Sequence, residues 1–167
     1  VTSYYFILFL ACIFMFIANT SKNKMPFIEF FLIVVVSIIL IFFAGIREHH
    51  VGTDTLNYRD MFVYKRNETF SLAYFIGGVD PGFALFQVIF QKLTENFVIY
   101  LFGIATFVVS IYLYLIRKMS TNYGVTIFVF ICLGTYLFFF NGARQAMAAA
   151  VYSIALLPLI NKKMFQY

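Results

Sequence analysis

A chain of 167 residues that is 63% hydrophobic and only 11% charged, with mean hydropathy +0.90, cannot cover a soluble globule with polar surface. Its apolar residues come in long blocks and not in alternating runs of about ten residues, which speaks against a transmembrane barrel and for lipid-facing helices. The net charge of +5 comes from lysines and arginines that flank these blocks, so it reads as membrane orientation and not as nucleic-acid binding.

The predicted spans, in chain order, are Tyr4–Ala18, Phe27–Ile46, Phe97–Ile116, Val125–Phe140 and Ala143–Ile160. The first is short for a hydrocarbon core of ~30 Å, which takes about 20 residues. It has no preceding basic region and no small-residue cleavage site, so it reads as a span and not as a signal peptide. Gly82–Leu93 is also helical by pattern but too short to cross at ~1.5 Å per residue. Phe83, Phe86, Phe90 and Leu93 are expected on one of its sides, with Gln87, Gln91 and Lys92 elsewhere. It should therefore lie in the interface or dip partly into the bundle.

The expected fold class is all-α: a polytopic transmembrane helical bundle of about five spans, forming a single transmembrane domain over 1–167. It carries an extracytoplasmic loop at 47–81 and a short interfacial helix at 82–93. The chain starts at Val1 and ends just after Lys162-Lys163, where another span could begin, which reads as the N-terminal fragment of a longer protein. Cys12 and Cys132 fall inside apolar blocks and offer neither a disulfide framework nor a zinc spacing.

Charge sets the orientation. Lys22 and Lys24 follow the first span, Arg117 and Lys118 the third, and Lys162 and Lys163 the fifth, so all three pairs share one side if the spans alternate. That side is expected to be cytoplasmic. The other side holds Arg47, Arg59, Lys65, Arg66, Lys92 and Arg144 together with Glu48, Asp54, Asp60, Glu68, Asp80 and Glu95. The parity holds only if Gly82–Leu93 does not span. The loop from Arg47 to Pro81 is too long for a simple connection, and long ordered loops usually carry function.

Three segments on that outer side carry chemistry. The first runs from Arg47 through Val51-Gly52-Thr53-Asp54 to Tyr58 and Asp60. Gly52 permits a tight turn, and Thr53 or Asp54 can cap a short helix toward Phe62. An arginine at the membrane boundary suits a phosphate, because its planar fork binds two oxygens. A nearby acid can orient that arginine or accept a proton. A charged interfacial rim with a helix cap fits the same residues. His49 and His50 are adjacent, cannot both face one ion from a helix, and are the only histidines, so no metal site is expected. One of them as a proton shuttle stays open.

The second segment is Gly77-Gly78-Val79-Asp80-Pro81-Gly82-Phe83, in which Asp80 reads as an N-cap and Pro81 as a first-turn proline. The third is Asn141-Gly142-Ala143-Arg144-Gln145, followed by Ala146, Ala148, Ala149 and Ala150, small residues that allow close helix packing. Arg144 opens the last span and is expected to face the bundle interior or a cavity, with snorkelling as the alternative. Asn141 and Gln145, four apart, should share a face. Tyr58 and Tyr74 lie in the outer loop and could stack on sugar rings, although for any one tyrosine lipid-facing or interfacial bulk is the stronger reading.

These segments, in this order, resemble the EpsG family, polytopic membrane proteins grouped with the Wzy-type polymerases of exopolysaccharide, capsule and O-antigen. The matching residues are Arg47, Val51-Gly52-Thr53-Asp54, Tyr58, Asp80-Pro81-Gly82-Phe83, Asn141, Arg144-Gln145 and Ala148. At Asp80 the family more often shows a glutamate. The resemblance implies polymerisation of lipid-linked oligosaccharide on the outer face of the bacterial cytoplasmic membrane, by inverting transfer from an undecaprenyl-diphosphate-linked chain, with no cofactor and no metal. It implies catalytic roles for Arg47, Asp54 and Arg144, Asp54 as the base or its orienter. It implies substrate contacts by Tyr58, Asp80, Asn141 and Gln145. Expected partners are the lipid-linked glycan, membrane lipid, a chain-length regulator and other assembly proteins, with no nucleic acid. Two other readings are a flippase of lipid-linked sugars, which predicts ionisable residues within spans and broken helices at mid-membrane, and a non-catalytic membrane subunit.

Overall fold

The computed structural model describes residues 2–48, 51–64 and 80–160, and for residues 2–4 the backbone alone. The expected roles of His49, His50, Tyr74, Gly77, Gly78 and Lys162-Lys163 lie outside the described residues. The described chain forms α1 (Thr2–Ser21), α2 (Pro26–Gly45), α3 (Thr55–Tyr64), α4 (Pro81–Leu93), α5 (Phe97–Met119), α6 (Tyr123–Cys132), α7 (Thr135–Asn141) and α8 (Ala143–Ile160). No strand occurs among the described residues. The fold is an all-α bundle.

Three helices, α2, α5 and α8, are long and apolar enough to cross a membrane, and α6 with α7 makes a fourth if counted as one bent span. The fourth span, expected over Val125–Phe140, is broken: the chain interrupts the helix at Leu133–Gly134 and the two halves are bent by 40°. Gly134 adopts φ +75° there, a left-handed conformation that costs glycine little. The expected first span is not among the helices long enough to cross: its apolar stretch, Tyr5–Ser21, is shorter, so three or four of the five expected spans are found among the described residues.

α5 packs between α2 and α8, while α1 packs on α2 and α6. The buried faces follow helical spacing. On α1 they are Ala11, Met15 and Ala18; on α2, Ile33, Val36, Leu40 and Ala44; on α8, Ala143, Ala146, Met147 and Ala150. Small side chains on these faces let the axes approach closely. Of the alanine run behind Arg144, Ala148 and Ala149 are exposed instead of packed. Bulky residues such as Phe27, Phe31, Ile38 and Phe42 point outward, as lipid-facing positions do.

One end of the bundle joins the first two basic clusters. Glu29, only 4% exposed, accepts from Arg117 Nε at 3.1 Å and from the Tyr123 hydroxyl at 3.0 Å. Lys22 Nζ donates to the Ser120 carbonyl at 3.2 Å and lies over the Tyr123 ring. Asn19 Oδ1 accepts from the Tyr123 N–H. The end of α1, the start of α2, the end of α5 and the start of α6 thus share one end, as the charge parity requires. Glu29→Ala is expected to destabilise the protein by about 1–3 kcal/mol, because it removes the acceptor of a buried hydroxyl and of Arg117. Glu29→Gln, which keeps an acceptor, should cost less. Unfolding midpoints in detergent give the comparison.

α4 docks on the outer half of α5, with the Phe86 and Phe90 rings both against Tyr100 and the Phe86 ring edge-on to Phe107. The Phe90 ring occupies the space where a Cβ on Gly103 would sit. The expected face of α4 is revised. Leu93 is exposed, whereas Gln87 and Gln91 are buried. Gln87 Nε2 donates to the Met61 carbonyl at 3.0 Å and Gln91 Nε2 to the Phe62 carbonyl at 2.8 Å. Two glutamines four residues apart therefore satisfy carbonyls that the C-terminal turn of α3 leaves free, and they tie α3 to α4.

Candidate functional site

The opposite end of the bundle is built around the α7–α8 junction. α7 stops at Asn141, so the carbonyls of its last turn need outside donors. The Val51–Thr55 turn reaches one of them, that of Phe140, and the side chain of Asn141. Thr55 Oγ1 lies 3.1 Å from the Phe140 carbonyl and 2.7 Å from the Val51 carbonyl. Asn141 Oδ1 accepts from the Thr53 N–H at 3.1 Å and from Thr53 Oγ1 at 3.3 Å. Gly52 makes the close approach possible. Its φ is +95°, and a Cβ there would be driven into the Phe140 carbonyl.

α3 starts immediately after Asp54, whose carbonyl accepts from the Tyr58 N–H at 3.0 Å. Asp54 thus occupies the cap position expected of it. Among the described residues, no side-chain hydrogen bond or ion pair reaches its carboxylate. Asp80 also stands at a helix N-cap, that of α4, with Pro81 next in the helix, yet its carboxylate makes no capping bond. Oδ2 instead accepts from Arg144 Nη1 at 2.7 Å. The acid the fold brings to an arginine is Asp80, 64 residues away in sequence.

Tyr58 is 2% exposed and packs against the Phe83 ring at 5.6 Å between centroids. Sugar stacking is therefore closed to its ring, a correction to the sequence reading. Its hydroxyl sits within electrostatic range of both Arg47 and Arg144. It has no hydrogen-bond partner of good geometry among the described residues. Arg47 lies with its guanidinium carbon 4.6 Å from the Phe140 ring centroid. Burial pulls the Arg47 guanidinium down to about 10, with Tyr136 and Tyr58 working the other way, so it stays charged at neutral pH. Arg47 Nε and Arg144 Nε are both buried and unpaired among the described residues. A buried guanidinium edge without an acceptor is costly, and it is the arrangement an incoming anion would complete.

Asn141 and Gln145 do not share a continuous helical face, because the helix breaks at Gly142. The Asn141 carbonyl oxygen is committed to Thr53, and Gln145 Oε1 folds over Gly142.

Next to the Asp80–Arg144 pair lies a cavity of about 720 Å3 between α4, α5 and α8. The pair sits at its head. Phe86, Ile89, Phe107, Met147, Tyr152 and Ala155 are among the residues that form the rest, almost all of it apolar. Ala155 is three turns beyond Arg144, roughly 16 Å along the helix. Leu85, Ile89, Val151 and Tyr152 on its rim are exposed, so the groove opens sideways. A charged head with a long apolar trough fits an amphiphile.

The sequence flagged Arg47, Asp54, Tyr58, Asp80, Asn141, Arg144 and Gln145. The fold gathers Arg47, Tyr58, Asp80 and Arg144 around one point and makes Asn141 a staple. It leaves Asp54 and Gln145 without a side-chain bond to that group. Thr53, Thr55, Phe140, Gln87 and Gln91 hold the cluster in place. Of these, the sequence offered Thr53, as a cap candidate, and the Gln87/Gln91 spacing.

No curated protein and no solved structure matches this chain. A sequence profile of the EpsG family matches residues 30–167, which include every residue of the cluster. That match, with the bundle of apolar helices, establishes the chain as a multi-pass membrane protein of the EpsG family, linked to exopolysaccharide.

Proposed function

We propose that this protein polymerises lipid-linked oligosaccharide repeat units on the extracytoplasmic face of the bacterial inner membrane. A hydroxyl of one lipid-linked repeat attacks the anomeric carbon of the growing chain. The bond to the undecaprenyl diphosphate breaks, the hydroxyl proton passes to a base or solvent, and the lipid diphosphate leaves. The observation that carries the reading is Arg144, with a buried unpaired Nε, at the head of an apolar groove, together with Arg47, whose own buried unpaired Nε belongs to a guanidinium within electrostatic range of the same Tyr58 hydroxyl. Fixed positive charge is worth most where negative charge develops on a leaving group, and the trough suits a prenyl tail. The basic Lys22/Arg117 end, opposite this head, supports an outer position for it by the positive-inside rule.

Tyr58 belongs to the same head. Tyr58→Phe is expected to change stability by no more than about 1 kcal/mol, since the hydroxyl it removes makes no hydrogen bond of good geometry among the described residues. It should nevertheless slow chain growth, because that hydroxyl faces the two arginines. Unfolding in detergent and glycan length on gels separate the two effects.

A flippase reading has one observation in its favour, the break at Gly134 within an apolar span. Deleting the full-length gene distinguishes them. On the polymerase reading, single repeat units accumulate on the lipid carrier and are accessible to a membrane-impermeant glycan probe. Accumulation of inaccessible units would favour the flippase.

A further inference from the structure

Asp80 occupies the N-cap of α4 without capping it. Pro81 carries no N–H, so the next N–H groups of the first turn are the ones a cap acceptor would take. The Asp80 carboxylate turns instead to Arg144 Nη1. Both side chains are more than a third exposed, at 43% for Asp80 and 38% for Arg144, so water screens the pair and its grip is weak. Two partners therefore compete for one carboxylate: the guanidinium and the positive end of α4. Arg144 meanwhile holds a second edge, Nε, that is buried and unpaired, and its guanidinium lies within reach of the buried Tyr58 hydroxyl. Asp80 and Arg144 both line the head of the groove.

We infer that Asp80 is a displaceable counter-ion, which the diphosphate of the ligand expels from Arg144 and which then caps α4. This rests on the reading of the groove as a lipid-diphosphate site. The exchange leaves no charge stranded. Arg144 passes from a carboxylate to a more highly charged anion that its fork can hold through two oxygens. The carboxylate passes from a guanidinium to the free N–H groups of its own helix. Because Phe83 holds the first turn of α4 against Tyr58, the exchange takes place beside the hydroxyl that faces the arginines. Asp80 is thus a positioning residue: it keeps Arg144 extended toward the groove when no ligand is bound, at the expense of affinity.

The test is binding to the purified full-length protein in nanodiscs, with farnesyl diphosphate, inorganic pyrophosphate and farnesol as probes. Asp80→Asn and Asp80→Ser each remove the charge and keep a cap acceptor, so α4 is retained. Both are expected to bind farnesyl diphosphate about 2–5-fold more tightly than wild type, the scale of one lost competing surface charge. Farnesol affinity should not change, and Arg144→Gln should abolish the gain. A gain with pyrophosphate too assigns the exchange to the diphosphate group; a gain with farnesyl diphosphate alone assigns it to a lipid headgroup. No gain in either Asp80 variant, with Arg144→Gln still weakening diphosphate binding, overturns the exchange and leaves the diphosphate site standing. An equal gain with farnesol overturns it as well. Unchanged farnesyl diphosphate binding in both Arg144→Gln and Arg47→Gln would bring down the underlying reading itself.

Discussion

Arg144→Gln is expected to slow chain growth by about 10²–10³-fold, the cost of deleting one donor aimed at developing negative charge. Its effect on folding should be small. The Arg144–Asp80 bridge has partners 38% and 43% exposed, and such pairs contribute about 0.2–1 kcal/mol. The protein should therefore be present at normal level and inactive. Arg144→Lys should fall between, since it keeps the charge and loses the fork. Arg47→Gln should lose activity by a similar factor and be more stable than wild type, because it removes a buried guanidinium edge with no acceptor in the ligand-free protein. A rise in unfolding midpoint with a fall in rate is the signature of a group held ready for a ligand. Rates from purified protein and unfolding in detergent read both. An Arg47→Gln protein that is less stable than wild type would mean that the guanidinium is already satisfied.

Gly52→Ala should do the reverse and damage structure first. The left-handed φ costs an L-residue about 1–2 kcal/mol, and the added Cβ meets the Phe140 carbonyl, a backbone atom that cannot step aside. Together these predict a loss of about 2–4 kcal/mol and release of the Val51–Thr55 turn from the α7–α8 junction. Asn141 and the Phe140 carbonyl would then lose their donors, and Tyr58, carried on α3, would lose its place beside the arginines. Asparagine tolerates positive φ better than alanine but brings the same Cβ, so Gly52→Asn should fail as well. If asparagine restored wild-type stability, backbone strain alone would explain the glycine, and the close approach would be irrelevant.

Much of the bundle was legible in the sequence because hydrophobic length and basic flanks are local signals. The parity of Lys22 and Arg117 predicted a shared end, and the Lys22–Ser120 and Arg117–Glu29 contacts occur there. The break in the fourth span was not legible, because Gly134 sits inside an uninterrupted apolar run where one glycine changes neither composition nor charge. The N-cap signal at Asp80 identified the helix start correctly and misdirected the side chain. A local propensity was overridden by an arginine that only the fold brings near. Tyr58 shows the same limit. A tyrosine in a loop reads as accessible, and packing against Phe83 of another helix is a tertiary fact. Gln87 and Gln91 were visible as polar positions on an apolar helix, but their partners are main-chain carbonyls of α3, which no side-chain pattern records.

The central claim is that the head formed by Arg47, Tyr58 and Arg144 accepts a lipid diphosphate as a leaving group. Its most direct test is reconstitution of the purified full-length protein in vesicles with a synthetic lipid-diphosphate-linked repeat unit, following glycan length and released lipid diphosphate together. Chain growth with one lipid diphosphate released per new linkage, lost in Arg144→Gln, is the predicted result. Chain growth that persists undiminished in the Arg144→Gln and Arg47→Gln proteins would contradict it.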